Sequence, residues 1–380
     1  MSSNRLQRLH EAGQSIWLDF IDRTILRNGD LARRIREDSL TGMTSNPTIF
    51  EKALAEGTAY DDQIRSADGE FTAMELFELI ATTDVREACD AFSAVHTQSK
   101  GYDGFVSIEV SPAAANSARD TISEAQRLWA TVDRPNLFVK VPGTVDGATA
   151  VRRLTADGIN VNITLLFSLD AYRRVIDAYM AGLEDRIAAG KGISSIHSVA
   201  SFFVSRVDSE GDKRLEALAA KSPDKKETAT ALLGTAAIAN AKLAYQLFQR
   251  EVASPRWKAI EARGGTLQRP LWASTSTKNP AYRDVRYVEE LIGPYTVNTM
   301  PPQTIEAFRD HGEVRRTVDA EVDIAERQLR DLERLGIMMK DVTDKLLVDG
   351  IASFQKSFDT LLAGLAKKTR ALGRELVASR

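Results

Sequence analysis

Residues 137–144 read LFVKVPGT, a stretch whose residue types indicate both a fold class and a candidate catalytic group. An apolar strand from Leu137 to Val139 leads into Lys140, and Pro142 and Gly143 then end the strand. Strands that are apolar on both faces are typical of parallel sheets covered by helices, whose active sites lie at the carboxyl ends of the strands. Apolar surroundings disfavour an ammonium ion, so Lys140 would be a free amine able to form a Schiff base with a carbonyl substrate. A lysine at a strand end is more often a solvated rim charge, so the rest of the chain has to decide.

The composition is that of an ordinary soluble globular protein. The 380 residues are 43% hydrophobic and 27% charged with a net charge of −3, which argues against nucleic acid as the main partner. The chain has no apolar run long enough for a membrane span, and its N-terminus lacks the apolar core of a signal peptide. The single cysteine, Cys89, and the four histidines without ligand spacing favour a reducing cytoplasm and no metal site.

Seven further strands are predicted around the opening stretch, and helical segments separate them. This alternation favours an α/β fold that closes into a (β/α)8 TIM barrel rather than an open doubly wound sheet. The other predicted strands are Ser15–Ile21, Leu40–Asn46, Gly104–Val110, Asn160–Phe167, Ser195–Val204, Arg269–Ser274 and Tyr295–Met300.

The chain has no linker rich in proline, glycine or serine, which predicts one domain over residues 1–380. Two parts exceed a minimal barrel. Residues 207–262 are predicted to be a helical insertion that begins with a charged, solvated surface portion, whose role is surface stabilisation or partner docking. Residues 313–380 are predicted to be a helical C-terminal extension.

Polar side chains occur near the ends of the predicted strands, and a barrel would bring them to one rim. Each has an ordinary alternative: Asp19 could cap a helix or form a salt bridge, and Asn46 could be a turn residue. Together they offer an amine, two carboxylates, amides, hydroxyls and cations without a metal cluster, which suits a metal-free aldol reaction on a sugar phosphate. The candidate residues are Asp19, Asn46, Glu109, Lys140, Asn162, Thr164, Ser201, Arg206 and Lys278.

Seven motifs give the chain a resemblance to the transaldolase family, in its long bacterial form. They are WLD at 17–19, TSNP at 44–47, SIEV at 107–110, FVKVPGT at 138–144, NITLLFS at 162–168, SFFVSRVD at 201–208 and WASTSTKNP at 272–280. The resemblance implies a (β/α)8 barrel with the Schiff-base lysine on the fourth strand and no cofactor. It also implies transfer of a dihydroxyacetone unit from sedoheptulose 7-phosphate or fructose 6-phosphate to glyceraldehyde 3-phosphate or erythrose 4-phosphate. This reaction belongs to the non-oxidative pentose phosphate pathway.

The resemblance assigns four catalytic residues. Lys140 would attack the ketose carbonyl, and Asp19 would take the proton from the C4 hydroxyl so that the C3–C4 bond breaks. Glu109 and Thr164 would hold the water that moves protons while the carbinolamine forms and dehydrates. The iminium would act as the electron sink.

The resemblance also assigns residues to substrate binding. Asn46 and Asn162 would hydrogen-bond the donor hydroxyls with help from Ser201, and Arg206 would clamp the phosphate. Many family members carry a second phosphate-binding arginine in a short ASFRN segment, whereas this chain reads ASTSTKN with Lys278. A lysine binds phosphate as a point charge without the planar fork of arginine.

Two alternatives to a transferase stay open at this point. A fructose 6-phosphate aldolase would release free dihydroxyacetone, but Phe203 lies where a phenyl ring in the family goes with transferase behaviour. A non-catalytic barrel scaffold would be expected to have lost Lys140 or Asp19, and both are present. The expected partners are small sugar phosphates, with no nucleic acid and no membrane, and the expected state is a monomer or homodimer.

Overall fold

Eight parallel strands close into a barrel in the order in which they occur along the chain. The computed structural model describes residues 4–55 and 57–377. This architecture confirms the predicted (β/α)8 TIM barrel. The strands are β1 (Gln14–Asp19), β2 (Leu40–Thr44), β3 (Phe105–Glu109), β4 (Leu137–Pro142), β5 (Val161–Leu166), β6 (Ser198–Phe203), β7 (Gln268–Ala273) and β8 (Thr296–Met300).

Helices surround the barrel and extend beyond it at the C-terminus. Short 3₁₀ turns occur at Pro112–Asn116 and Pro223–Lys225. The α-helices of the described residues are α1 (Arg5–Glu11), α2 (Arg23–Arg27), α3 (Asp30–Glu37), α4 (Pro47–Ala55), α5 (Asp61–Ser66), α6 (Ala73–Gln98), α7 (Ala118–Val132), α8 (Val145–Asp157), α9 (Leu169–Ala188), α10 (Ser205–Lys221), α11 (Lys226–Ala231), α12 (Ala236–Val252), α13 (Pro255–Glu261), α14 (Arg286–Glu289), α15 (Pro302–His311), α16 (Val322–Arg334) and α17 (Met339–Ala371). None of them is long and apolar enough to cross a membrane.

The opening stretch behaves as its pattern predicts. Every residue of β4 is buried, because the barrel interior covers one face and helices cover the other. Pro142 is the last residue of the strand, and Thr144 caps α8 by accepting a hydrogen bond from the Gly147 amide. The register pairs Lys140 with Glu109 on β3 and with Asn162 on β5. Three candidate residues therefore lie side by side on adjacent strands.

The amino-terminal end of the barrel holds a large buried side chain and a buried polar network. The Trp17 indole packs so closely on β2 that a Cβ atom at Gly42 would lie 2.6 Å from it, so this position requires glycine. The indole nitrogen donates a hydrogen bond to Asp103, which also accepts one from Ser15. Arg269 donates to Ser15 and completes the network. The contacts at this end of the barrel therefore stabilise the fold.

Two sequence predictions are wrong in part. Residues 207–262 hold helices α10 to α13, and their charged portion, residues 208–227, which was predicted to be solvated, lies mostly in α10, one face of which buries Val207, Asp208 and Leu215. The many charges of this portion predict a solvated segment, but two of its carboxylates accept hydrogen bonds from buried partners. Later in the same segment, α12 packs against α9 and β7 as a barrel helix does.

The predicted C-terminal extension becomes helical only at Val322, not at residue 313. Residues 313–321 follow an irregular path because the amides of Thr317 and Val318 hydrogen-bond to the Ile292 carbonyl instead of to a helix. The predicted single domain and its extension both run to residue 380, and positions 1–3 and 378–380 lie outside the described residues. The single domain therefore stays a prediction.

The Asp208 carboxyl in α10 gives a prediction about stability. It accepts hydrogen bonds from the Ala237 amide and the Tyr287 hydroxyl, yet burial raises its pKa to about 6. A carboxyl with a raised pKa in the folded state contributes most stability while it is protonated, and that contribution falls as the pH rises from about 4 to 6. In Asp208→Asn this loss is absent, so we expect its unfolding free energy, relative to wild type, to rise by about 3 kcal/mol over that pH range. Urea denaturation at pH 4, 5 and 6.5 would measure the difference, and a constant difference would contradict the prediction.

Candidate active site

A cavity of about 480 Å³ opens at the carboxyl ends of the strands. Its size is within the range of roughly 300–1,000 Å³ that is usual for small-molecule sites. Eight of the ten predicted site residues line it, and the other two, Glu109 and Asn162, lie just behind its wall. The eight are Asp19, Asn46, Lys140, Thr164, Ser201, Phe203, Arg206 and Lys278.

Lys140 projects from β4 into the floor of the cavity and is only 7% exposed. Its Nζ donates a hydrogen bond of 2.8 Å to the Ser45 carbonyl and lies 3.8 Å from Glu109 Oε2. Solvation by water is thus largely replaced by one carbonyl and one carboxyl group. Such a site suits an amine that has to act as a nucleophile. The rim-charge alternative does not describe this buried lysine.

Glu109 is a buried carboxyl next to that amine. Burial raises its pKa, and the positive charge of Lys140 and the hydrogen bond from Thr164 only partly oppose this effect. Thr164 Oγ1 donates to Oε1 at 3.3 Å, whereas Oε2 has no hydrogen-bond partner among residues 4–55 and 57–377. A carboxyl group with a raised pKa and a free oxygen is suited to taking up a proton and giving it back during a reaction.

Asp19 ends β1 at the cavity wall, and one of its two oxygens is restrained. Thr44 Oγ1 donates to Asp19 Oδ1 at 2.8 Å and lies 3.0 Å from Thr299 Oγ1. The second carboxylate oxygen makes no hydrogen bond to any residue in the described part of the chain. The side chain is therefore oriented and still able to accept a proton from a ligand in the cavity.

The amide side chains occupy two different layers. Asn162 is fully buried, donates to Ser107 Oγ at 3.1 Å and accepts from Ser201 Oγ at 2.7 Å, so it holds Ser201 at the wall. Asn46 lies at the cavity, and its Oδ1 also accepts the Ile49 amide at the start of α4. Asn46 therefore both stabilises the turn before α4 and lines the cavity. Direct contact of Asn162 with a substrate hydroxyl stays a prediction.

Cations gather at one side of the cavity. Arg206 is the second residue of α10, and its guanidinium carbon lies 5.3 Å from the centre of the Phe203 ring. Burial lowers the pKa of Arg206, and the pKa of Lys278 is lowered first by burial and then by repulsion from Arg206 and Lys52. Lys278 Nζ donates to Ser276 Oγ at 2.8 Å. Like charges held close together form a site suited to an anion such as a phosphate group.

Sequence reasoning missed several residues of the cavity. Thr44 and Ser45 belong to a motif that was recognised, but nothing in the sequence showed that their side chain and carbonyl would contact Asp19 and Lys140. Lys52 on α4 also lines the cavity, and no motif in the sequence marked it as a site residue. Phe354 belongs to the apolar stripe of the C-terminal helix α17, which predicts packing and gives no sign of a place at the cavity. The C-terminal extension therefore contributes directly to the site.

A larger groove of about 650 Å³ lies on the flank of the barrel among α9, α12, α16 and α17, and no predicted site residue lines it. It is lined by surface charges and a few apolar side chains, without an amine beside a buried carboxyl. Among the described residues, no group of three or more histidine, cysteine, aspartate or glutamate side chains is placed to hold a metal ion. The strand-end cavity is therefore the candidate active site.

The similarity of the chain to known proteins extends over nearly all of its length. A family model described as Transaldolase/Fructose-6-phosphate aldolase matches residues 16–365. A transaldolase of Frankia alni is 47% identical, with 98% of each chain covered. A transaldolase of Trichodesmium erythraeum is 45% identical over 98% of this chain and 99% of its own, and one of Thermobifida fusca is 47% identical over 96% and 98%. The barrel, the cavity and these relatives agree: the chain belongs to the transaldolase/fructose-6-phosphate aldolase family.

Proposed function

We propose that the chain is a transaldolase that moves a dihydroxyacetone unit between sugar phosphates through a Schiff base on Lys140. The donor is sedoheptulose 7-phosphate or fructose 6-phosphate, and the acceptor is glyceraldehyde 3-phosphate or erythrose 4-phosphate. The observation that carries the proposal is the buried amine of Lys140, which shares one cavity with the Asp19 carboxylate and a group of cations. The relatives described above are all named transaldolase.

In the first half-reaction the amine of Lys140, which reacts in its deprotonated form, adds to the C2 carbonyl carbon of the donor. The carbinolamine then loses its oxygen as water, which requires a proton to be delivered to that oxygen. Glu109, with its raised pKa and its free Oε2, is suited to supply this proton through a water held with Thr164. The product is an iminium, which withdraws electrons from the neighbouring bonds.

Cleavage follows when Asp19 accepts the proton of the C4 hydroxyl. The C3–C4 bonding electrons flow into the iminium, an aldehyde leaves, and an enamine of dihydroxyacetone stays attached to Lys140. In the second half-reaction the enamine carbon attacks the aldehyde carbon of the acceptor, and Asp19 returns its proton to the new hydroxyl. Hydrolysis of the resulting iminium frees the product ketose and restores the Lys140 amine.

The cations hold the phosphate end of both substrates. Arg206 can form two parallel hydrogen bonds to phosphate oxygens, while Lys278 and Lys52 add point charges at the rim. Fixing the phosphate places the C2 carbonyl of the sugar over Lys140, which converts binding energy into orientation. Arg206 and Lys278 repel each other while the site is empty. A phosphate dianion bound between them offsets this repulsion, which further favours its binding.

An assay of transfer against release separates a transaldolase from a fructose 6-phosphate aldolase. With fructose 6-phosphate and erythrose 4-phosphate together, we expect sedoheptulose 7-phosphate and glyceraldehyde 3-phosphate in equal amounts. With fructose 6-phosphate alone we expect almost no free dihydroxyacetone, since the apolar ring of Phe203 at the cavity gives no hydroxyl to orient a protonating water. Fast release of dihydroxyacetone without an acceptor would favour the aldolase, and no product in either mixture would remove the enzyme proposal.

The proposal includes a cellular location and an oligomeric state. A cytoplasmic location fits the single cysteine, Cys89, which is buried as a free thiol. A monomer or homodimer of one domain fits the chain length. Analytical ultracentrifugation of the purified protein measures the oligomeric state directly.

A further inference from the structure

Two carboxylates on α10, Asp208 and Asp212, take no part in the proposed chemistry although they are buried. They are 1% and 8% exposed, and their spacing of four residues puts both on one face of the helix. Arg206 is on the same helix, one residue after its start, and lies at the cavity. A single rigid element thus carries one phosphate-binding cation and a pair of buried acceptors.

Both carboxylates accept hydrogen bonds from tyrosines in the segment that follows β7. The Tyr287 hydroxyl donates to Asp208 Oδ2 at 2.8 Å, and the Tyr282 hydroxyl donates to Asp212 Oδ2 at 2.7 Å. Hydrogen bonds to an ionised acceptor are roughly twice as strong as neutral ones. They join two parts of the chain that are about 70 residues apart in sequence.

The second oxygen of each carboxylate is held by the backbone on the other side. The Ala237 amide donates to Asp208 at 2.7 Å, and the Gly234 amide donates to Asp212 at 2.8 Å. Gly234 has a φ of +69°, and a Cβ atom there would lie 2.7 Å from the Tyr282 ring. The start of α12 and the two tyrosines therefore pack closely around α10.

Lys278 belongs to the segment that these bonds restrain. Thr277 Oγ1 donates to the carbonyls of Arg283 and Asp284, both at 3.0 Å, and so closes residues 277–284 into a loop. Tyr282 lies within this loop, and the Arg286 guanidinium carbon lies 4.8 Å from the centre of its ring. The bond from Tyr282 to Asp212 thus fixes the loop to the helix that bears Arg206.

We propose that Asp212 and Tyr282 are positioning residues that hold the 277–284 loop against α10, so that Lys278 faces Arg206 across the phosphate of the substrate. The inference depends on the proposed function, because it concerns the phosphate end of the same cavity. Lys278 is on a flexible stem and is repelled by Arg206, so an unrestrained loop would carry it away from the cavity. Holding it in place beforehand lowers the cost of ordering it when phosphate binds.

The test is a kinetic comparison of Tyr282→Phe with wild type. This change removes one hydroxyl and keeps the ring. The matched control is Tyr295→Phe, at an exposed tyrosine just before β8. We expect Tyr282→Phe to raise the KM for fructose 6-phosphate and the inhibition constant of inorganic phosphate together, by about tenfold, as loss of one charge-assisted hydrogen bond would. The kcat and the borohydride-trapped adduct at saturating ketose should stay near the wild-type values, and the control should change none of these.

A double-mutant cycle with Lys278→Ala decides whether the tyrosine acts through the lysine. If it does, Tyr282→Phe should have little further effect on KM once Lys278 has been removed. Additive effects would overturn the positioning role, and so would an unchanged KM and phosphate inhibition constant in Tyr282→Phe. A fall in thermal stability and kcat at constant KM would show a merely structural bond and would also overturn it. Failure of the proposed function looks different, because wild-type protein itself would then form no adduct with fructose 6-phosphate.

Discussion

Lys140→Ala is expected to form no borohydride-stable adduct with fructose 6-phosphate and to lose more than roughly 10⁴-fold in kcat, since loss of the nucleophile removes the entire covalent route. The wild-type protein should gain the mass of a reduced dihydroxyacetone or fructose phosphate adduct under the same conditions. Intact-mass spectrometry after borohydride treatment measures both results. The position of Lys140, buried between the Ser45 carbonyl and Glu109, is the physical reason for expecting this amine to react.

A second buried lysine gives the control for this experiment. Lys242 is 4% exposed, donates to the Ala320 carbonyl and does not line the cavity. Lys242→Met should still form the adduct. This result would show that the reaction needs a lysine in the cavity and that burial of a lysine is not sufficient. An adduct of wild-type yield in Lys140→Ala would show that another lysine forms the Schiff base, and the mechanism would have to be abandoned.

Asp19→Ala is expected to form the adduct and yet lose roughly 10²–10⁴-fold in kcat, which is the usual contribution of a general base. The amine and the carboxylate act at different steps, so the Schiff base should accumulate while C3–C4 cleavage stops. Trapping with borohydride reports the first step, and a coupled assay of the released aldehyde reports the second.

Asp19→Asn is the matched variant, because its amide oxygen can still accept the hydrogen bond from Thr44. It should be as inactive as Asp19→Ala if proton transfer is what matters. Near-normal turnover in either variant would remove Asp19 from the role of base. Recovery of activity in Asp19→Asn alone would instead assign the side chain to orientation of neighbouring groups.

Much of the barrel could be predicted because its signals are local. Residues 137–144 alone contain three such signals. They are the apolar residues that bury β4 on both faces, the proline that ends the strand and the threonine that caps α8. The same holds for Asn162 and Thr164, whose spacing of two puts both side chains on the inner face of β5. Predicted strand ends were in error by a few residues, as at Ser198, where β6 begins three residues after the predicted start.

The sequence by itself determined the barrel class, the strand that bears Lys140 and the group of polar residues at the strand ends, because period, burial and strand breakers depend on near neighbours. Only the tertiary structure decided which groups touch. The deciding contacts join residues about 70 to more than 200 positions apart in sequence. They are the hydrogen bond from Lys140 to the Ser45 carbonyl, the place of Phe354 at the cavity beside Lys140, and the hydrogen bonds between α10 and the two tyrosines. Such contacts follow from the closing of the barrel and the packing of helices around it, and no local pattern of residues encodes them.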